Sequence, residues 1–119
     1  MILLAEQVSA CSAFGGFVAK VFVLNDGGYD YSNASAFGEV VICSRGFVKK
    51  EISYCYRLLL KHLENATEDD YIVLSGLTSL CCVATAIMIE RFGKVNFLIH
   101  KENYYEPHVL LTYQGQKDE

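Results

Sequence analysis

The chain has 119 residues, of which 52% are hydrophobic, and its formal net charge is −4. This length predicts one domain over residues 1–119, and the high apolar content predicts either a rich core or apolar surface covered by another copy. The net charge is negative, and the basic residues are spread along the chain, with only Lys49 and Lys50 adjacent. Together these two features exclude a typical binding surface for duplex nucleic acid. The sequence has no run of about 18 apolar residues, so it predicts no membrane span. The N-terminus lacks the basic start of a signal peptide, so we expect no membrane contact and a cytoplasmic protein.

The cysteines predict neither disulfides nor a metal centre. They number five, with no CxxC pair, and are Cys11, Cys43, Cys55, Cys81 and Cys82. The three histidines are scattered, so the ligand spacing of a zinc site is absent from the sequence. We expect no metal and no cofactor. Because the sequence around the cysteine pair is apolar, we expect buried, inert thiols there rather than activated nucleophiles.

The N-terminal third predicts three strands and a long loop. Residues 2–8 and 17–24 read as strands joined by a hairpin turn at Gly15-Gly16, and residues 39–43 read as another short buried strand. Between the second and third of these strands, residues 25–38 are rich in Gly, Asn, Asp and Ser but include three aromatic side chains. Such a loop is either a binding loop or a flap packed on its own side chains.

A first helix is predicted from the Ser44-Arg45-Gly46 turn to about residue 64. Apolar residues recur there at steps of three and four, which predicts one buried stripe. The members of this stripe are Val48, Ile52, Cys55, Leu59 and Leu63.

Residues 70–100 have the pattern of a strand–helix–strand unit, around which the rest of the chain is organised. Residues 71–74 and 94–99 are the predicted strands, and the hydroxyls of residues 75–79 are expected to cap a helix over residues 80–92. Gly93 suits the left-handed end of that helix. The helix is apolar almost all round, so it needs cover on two sides. We therefore expect self-association through residues 80–92 in a homodimer or larger oligomer.

The remaining residues complete the predicted fold. Residues 100–107 read as a polar turn and residues 108–113 as a last strand, antiparallel to the preceding one if the turn closes a hairpin. Two consecutive strand–helix–strand units predict an α/β fold with right-handed crossovers. We expect a Rossmann-like three-layer sandwich with a small, mostly parallel sheet, antiparallel additions and about two main helices.

In such a sheet, ligands bind beyond the carboxyl ends of the strands, beside helix N-termini that attract anions. The loops expected there contain hydroxyls and cations that suit a phosphate, and tyrosines that suit stacking on a base. Neither GxGxxG nor GxxxxGK[ST] is present, so dinucleotide and P-loop sites are not predicted. The candidate ligand-binding residues are Tyr31, Ser32, Ser44, Arg45, Ser75, Gly76, Thr78, Ser79, Lys101 and Tyr104.

Each candidate also has a purely structural interpretation. The hydroxyls of residues 75–79 suit turn and cap chemistry, and Arg45 suits a surface ion pair. Lys101 suits a solvated hairpin tip, and Tyr31 suits an anchor that fixes the long loop to the sheet. His100 is a possible general base, but no nucleophile can be assigned beside it. We therefore assign no catalytic residue and lean against an enzyme.

Two short motifs resemble a family of small phage-encoded α/β proteins. The first is a D-Y-S-x-A…(F/Y)-G pattern, matched here from Asp30 to Gly38, and the second is an aspartate–aromatic strand with a Ser-Gly turn, matched from Asp70 to Gly76. The resemblance covers about four-fifths of the chain. It implies a phage or prophage context, and hence the host cell cytoplasm.

Three functional hypotheses follow. The first is an oligomer that binds and sequesters a nucleotide-type anion, as in phage proteins that counter host defence by acting as sponges for nucleotide signals; this step is an analogy from fold and context. The second is an interaction factor for a host or viral protein. The third and weakest is a phosphodiesterase or ring nuclease acting on a cyclic oligonucleotide through His100 or Lys101.

Overall fold

The structure is a computed structural model that describes residues 19–112. Its elements are β1 (Lys20–Val23), a 3-10 helix (Ser32–Ala36), β2 (Glu39–Ile42), α1 (Ile52–His62), β3 (Tyr71–Val73), α2 (Thr78–Phe92), β4 (Lys94–Lys101) and β5 (Tyr104–Leu111). The strands form one sheet in the order β2-β1-β3-β4-β5. All neighbours are parallel except β4 and β5. The predicted α/β fold with a mostly parallel sheet, an antiparallel addition and two main helices is confirmed. The predicted N-terminal hairpin lies outside the described residues.

The direction of each connection decides which face of the sheet it covers. The chain moves one way along the sheet from β1 to β2, and the other way from β2 through β3 to β4. Right-handed crossovers that move in opposite directions cover opposite faces. Accordingly, α1 and α2 pack together on one face, and the 3-10 helix packs on the other.

The alternation of side chains along the central strands builds two cores. Phe22 of β1 and Ile72 of β3 point to the helices, where they join Leu59 and Leu80. Val21, Val23 and Val73 point to the opposite face, where Ala34 of the 3-10 helix and Tyr105 cover them. Apolar side chains on both faces explain why these strands read as continuous apolar runs in the sequence.

The first helix begins later than its sequence pattern predicts. Residues 47–51 are not helical, and α1 starts at Ile52. The adjacent Lys49 and Lys50 disfavour a helix start, because a helix N-terminus carries partial positive charge. The predicted burial of Ile52 is also wrong, since its side chain is 56% exposed. Ile52 lies about 60° around the helix axis from the buried Cys55, which puts it at the border of the buried arc.

The second helix begins at Thr78, two residues earlier than predicted, and ends at Gly93, whose φ of +72° confirms the predicted left-handed cap. The sheet and α1 bury its large side chains, including Leu80, Ile87 and Met88. Its exposed apolar positions hold the small residues Cys82 and Ala86. No helix in the described part of the chain is long and apolar enough to cross a membrane.

The hairpin of β4 and β5 is tighter than predicted. Lys101 pairs with Tyr104, so only Glu102 and Asn103 form the turn, and β5 begins four residues before the predicted strand. The predicted turn over residues 100–107 is therefore wrong. Its single proline, Pro107, lies within β5, which is tolerated because β5 is an edge strand among the described residues.

At the amino edge of the sheet, Asp70 ties three segments together. Its side chain is buried and accepts hydrogen bonds from the backbone N–H groups of Lys20 and Thr67, both at 2.8 Å. Asn96 of β4 donates to the backbone oxygens of Asp70 and Glu68. This network fixes the start of β3 between β1 and β4, and it leaves the opposite edge to the loops that form the candidate site.

Candidate functional site

The carboxyl ends of β1 and β2 are joined by a hydrogen-bond network around Asn25. The Asn25 amide donates to the backbone oxygen of Gly46 at 3.1 Å. The Ser44 hydroxyl lies 2.6 Å from the backbone oxygen of Leu24 and 2.9 Å from Asn25 Oδ1. Ser44 thus serves as a structural bridge between the two strand ends.

Arg45 extends the same junction as an ion pair. Its Nη1 lies 2.5 Å from Asp26 Oδ2, and the two residues also form an isolated parallel bridge. The backbone N–H of Asp26 donates to the oxygen of Ser44 at 2.9 Å. The guanidinium remains largely exposed, so it is fixed in position while still facing solvent.

The loop after β1 is held by its own side chains. The N–H of Gly27 donates to the Tyr31 hydroxyl at 3.1 Å, and the Tyr31 ring packs against the core beneath the 3-10 helix. The Asp30 carboxylate accepts a hydrogen bond from the N–H of Ser32, and the contacts to Ser32 lower the pKa of Asp30. Tyr31 therefore anchors the loop, as one of its two sequence interpretations predicted. Tyr29, in contrast, is 72% exposed, and its ring lies against Gly27.

The N-terminus of α2 lies at the same edge. Gly76 has φ +87°, and a Cβ built on it would lie 3.9 Å from Cβ and O of Asn25, so the turn before α2 approaches the end of β1. The N-cap of α2 is Leu77, which makes no side-chain cap hydrogen bond. The predicted capping by the hydroxyls of residues 75–79 is therefore wrong. Thr78 and Ser79 are already the first two helical residues, one and two positions too late to act as the N-cap.

Ser75 holds the start of α2 through its backbone. Its oxygen accepts a weak hydrogen bond from the Cys81 thiol, with a sulfur–oxygen distance of 3.6 Å. Burial is the main factor that raises the pKa of Cys81, and the neighbouring Cys82 contributes less in the same direction. This thiol is therefore poorly suited to act as a nucleophile, in line with the predicted inert role. Cys82 is exposed, so the predicted burial of that second thiol is wrong.

The hairpin candidates, Lys101 and Tyr104, belong to a different arrangement. Lys101 Nζ lies 3.6 Å from Glu106 Oε1, and His108 Nε2 lies 2.8 Å from the same oxygen. The hydrogen bond from His108, followed by Lys101, lowers the pKa of Glu106. Tyr104 is exposed beside the turn.

His100 is separated from Lys101 by the geometry of the strand. Adjacent residues of β4 point to opposite faces of the sheet, and the His100 ring packs edge-on against Tyr105 at 5.1 Å. Burial, followed by Tyr31 and Asp30, raises the pKa of Tyr105. His100 and Lys101 thus do not converge on one reaction centre.

The structure brings Ser44, Arg45 and Gly76 together around Asn25 and Asp26. The loop that begins at residue 25 was expected at this edge, but Asn25 and Asp26 were not among the candidate ligand-binding residues, although their position directly after a buried strand is the signal that marks a ligand edge. Ser32 is an exposed residue of the 3-10 helix. That helix is connected to the hairpin through Asn33, whose amide donates to the Asn103 oxygen at 2.7 Å. No cluster of three or more His, Cys, Asp or Glu side chains able to hold a metal occurs in residues 19–112.

The chain is thus an α/β protein whose β1 and β3 lead to opposite faces of the sheet, the topological switch point at which such folds hold ligands. The chain belongs to the phage Pam3 gp32-like protein family, whose sequence profile matches residues 19–111. The expected phage context is confirmed to this extent. A search of curated protein sequences gives no match to this chain.

Proposed function

We propose that the protein binds a small anionic ligand of nucleotide type at the switch point and holds it without catalysing a reaction. The observation that carries the proposal is the N-terminus of α2, which lies beside Asn25 and lacks a side-chain cap. The first N–H groups of a helix have no partner within the helix, and the helix dipole adds partial positive charge there. A phosphate group accepts hydrogen bonds from these N–H groups, and its negative charge is attracted by the partial positive charge.

Two side chains on the same edge support this ligand class. Arg45 presents a guanidinium held in place by Asp26, and its fork of N–H donors matches phosphate oxygens. Tyr29 exposes an aromatic ring beside Gly27, where a nucleobase could stack. Because Tyr31 already fixes the loop, binding would order few additional residues, which favours affinity.

The phage family provides a host-cell context in which such a ligand would be met. A protein that binds a nucleotide signal and does not turn it over lowers the free concentration of that signal in the infected cell. We therefore propose sequestration of a host nucleotide signal as the role of the site, and the phage family supports this proposal through its phage context.

Thr78→Asp tests the site directly. The substitution puts a carboxylate in the first turn of α2, where it stabilises the helix by about 0.3–1 kcal/mol but repels an anionic ligand. We expect the unfolding temperature to stay equal or rise while nucleotide binding is lost, and we expect the neutral Thr78→Asn variant to keep binding. Loss of binding with retained stability separates ligand repulsion from misfolding.

Binding can be measured in two ways with the full chain. Mass spectrometry of the supernatant from denatured protein detects a copurified nucleotide, and thermal shifts with ATP, a linear dinucleotide and cyclic dinucleotides detect added ones. Arg45→Gln should weaken binding, whereas Lys101→Gln at the hairpin should not. A clean supernatant with a flat panel, or unchanged binding by Thr78→Asp, would contradict the proposal.

A further inference from the structure

The order of the strands leaves the predicted N-terminal hairpin no place beside β1. In that hairpin, residues 2–8 pair with residues 17–24. The structure instead pairs β1 with β2 along one edge and with β3 along the other. Because a strand has only two edges that can donate and accept backbone hydrogen bonds, β1 has none left. A strand over residues 2–8 therefore needs the edge of a different strand.

The outer edge of β2 is open in the described part of the chain. The N–H groups of Glu39 and Cys43 donate to backbone oxygens at the two ends of β1. Backbone groups alternate in direction along a strand, so the N–H and C=O groups of Val40 and Ile42 point away from β1. No other strand of residues 19–112 lies on that side. β2 thus offers backbone donors and acceptors to a further strand.

The other outer edge of the described sheet, on β5, has a residue that blocks further pairing. The N–H of Thr112 donates to the oxygen of Gly93, towards β4. By the same alternation, the nitrogen of Pro107 faces the open side of β5, and a proline nitrogen has no hydrogen to donate. Proline and lysine on an edge strand discourage added strands. β2, with the sequence EVVI, has neither, so it is the edge that favours another strand.

Residues 2–8, ILLAEQV, suit this edge in composition and in reach. They are mostly apolar, and in a strand Ile2, Leu3 and Leu4 place apolar side chains on both faces. The position beside β2 lies two strand spacings from β1, about 10 Å. Residues 9–18 connect the two and can extend over roughly 30 Å. A parallel crossover needs a dozen or more residues, so this connection favours an antiparallel strand.

We propose that residues 2–8 of the same chain pair antiparallel with β2 and cover its open edge. The backbone groups of Val40 and Ile42 form the ladder, and the apolar side chains of the segment cover the half-buried Val40 and Val41. Val40 faces the 3-10 helix and Val41 faces the two α-helices, so the added strand extends both cores. The start of the segment then borders Arg45 at the carboxyl end of β2, beside the candidate site.

Amide hydrogen exchange of the full chain, followed by NMR without nucleotide, tests the pairing. We expect the N–H groups of Val40 and Ile42 to exchange at least about 100-fold more slowly than that of Val109, because pairing protects them. The N–H of Val109 points to the open side of β5 and is the matched control. Exchange of Val40 and Ile42 as fast as that of Val109 would overturn the proposal.

Two proline variants show whether the segment pairs as a strand. Because alternate N–H groups of a strand face its neighbour, only one of Leu3→Pro and Leu4→Pro removes a hydrogen bond to β2. That variant should speed the exchange of Val40 and Ile42 at least about tenfold, and the other should leave it near the wild-type rate. Equal effects of the two variants, or no effect of either, would contradict a paired strand. Circular dichroism shows whether each variant keeps its fold.

A mixture of isotope-labelled and unlabelled chains identifies which copy supplies the strand. The short connection keeps the segment at a local concentration on the order of millimolar, which favours the chain's own segment over one from a second copy. We expect nuclear Overhauser effects between Leu4 and β2 within a labelled chain and none between chains. Effects between chains would overturn the proposal. Because no step uses nucleotide, failure here leaves the proposed function untouched, and failure of ligand binding leaves the strand untouched.

Discussion

At the scale of single residues, burial controls the thiol chemistry of Cys43. Its side chain is only 5% exposed, and burial raises the pKa of this thiol to about 12. In the unfolded chain the thiol ionises near its usual pKa, about 8.5. The folded state therefore gains stability that is fully present below that pH and is lost as the pH rises towards 12. We expect the free energy of unfolding to fall by about 1–2 kcal/mol between pH 8 and pH 10.

Urea unfolding at a series of pH values measures this loss. Cys43→Ala should reduce the fall of the unfolding free energy with pH, and Cys82→Ala, at an exposed position, should not. The unfolding free energy of Cys43→Ala should still fall with pH to some extent, because burial also raises the pKa of Tyr71 and Tyr105. A stability profile that is flat up to pH 10.5 would contradict the burial argument.

Residue types alone leave the role of a side chain open where geometry decides it. The pattern around Tyr31 fits an anchor or a ligand contact equally well, and the hydrogen bond from Gly27 depends on a loop conformation that no pattern specifies. Arg45 is similar: the sequence permits an ion pair, but its partner Asp26 lies 19 residues away. Contacts between distant loops follow from the packing of the strands, which local sequence does not determine.

At the scale of elements, the start of β2 depends on a close backbone approach at Gly38. A Cβ built on Gly38 would lie 2.3 Å from the backbone oxygen of Ala19, which also accepts the hydrogen bond from Glu39 N–H. Because backbone atoms, not a flexible side chain, form this contact, the strand pair must separate to admit a methyl group. We expect Gly38→Ala to lower the free energy of unfolding by roughly 2–4 kcal/mol, measured by urea unfolding.

Gly28→Ala is the matched control for this prediction. Gly28 also has a positive φ, +86°, but a Cβ added to it would meet nothing within 4 Å, so only backbone strain of about 1 kcal/mol is expected. Equal losses in the two variants would show that conformational strain alone, and not the approach of β1 and β2, makes Gly38 necessary.

The elements that the sequence predicts well are those with an unambiguous apolar pattern. The strands at residues 39–43 and 71–74 and the helix ending at Gly93 are confirmed to within a few residues. Two element ends that depend on other interactions were not predicted correctly. The start of α1 depends on charge at a helix terminus, and the start of β5 depends on cross-strand pairing with β4 that tolerates Pro107 at an edge.

At the scale of the whole molecule, strand order determines which candidate residues meet. Parallel strands predict that loops gather at one edge, but the sequence does not reveal that β1 lies between β2 and β3. This order puts Arg45 and Gly76 beside the end of β1. It puts Lys101 and Tyr104 on the β4–β5 hairpin, two strands from the end of β1, where Asn33 of the 3-10 helix contacts the turn at Asn103.

The same order predicts where the protein resists local unfolding. β1 and β3 pair on both sides, and Val21, Phe22 and Ile72 are at most 2% exposed. We expect their backbone amides to exchange with deuterium most slowly, near the rate set by global unfolding, because they open only when both cores separate. The amides of β5 should exchange faster, since β5 has one strand neighbour in the described chain and exposes Val109 and Leu110. Native-state hydrogen exchange measures both sets. Slowest exchange in β5 would mean that the antiparallel hairpin, and not the parallel centre, is the most stable part of the fold.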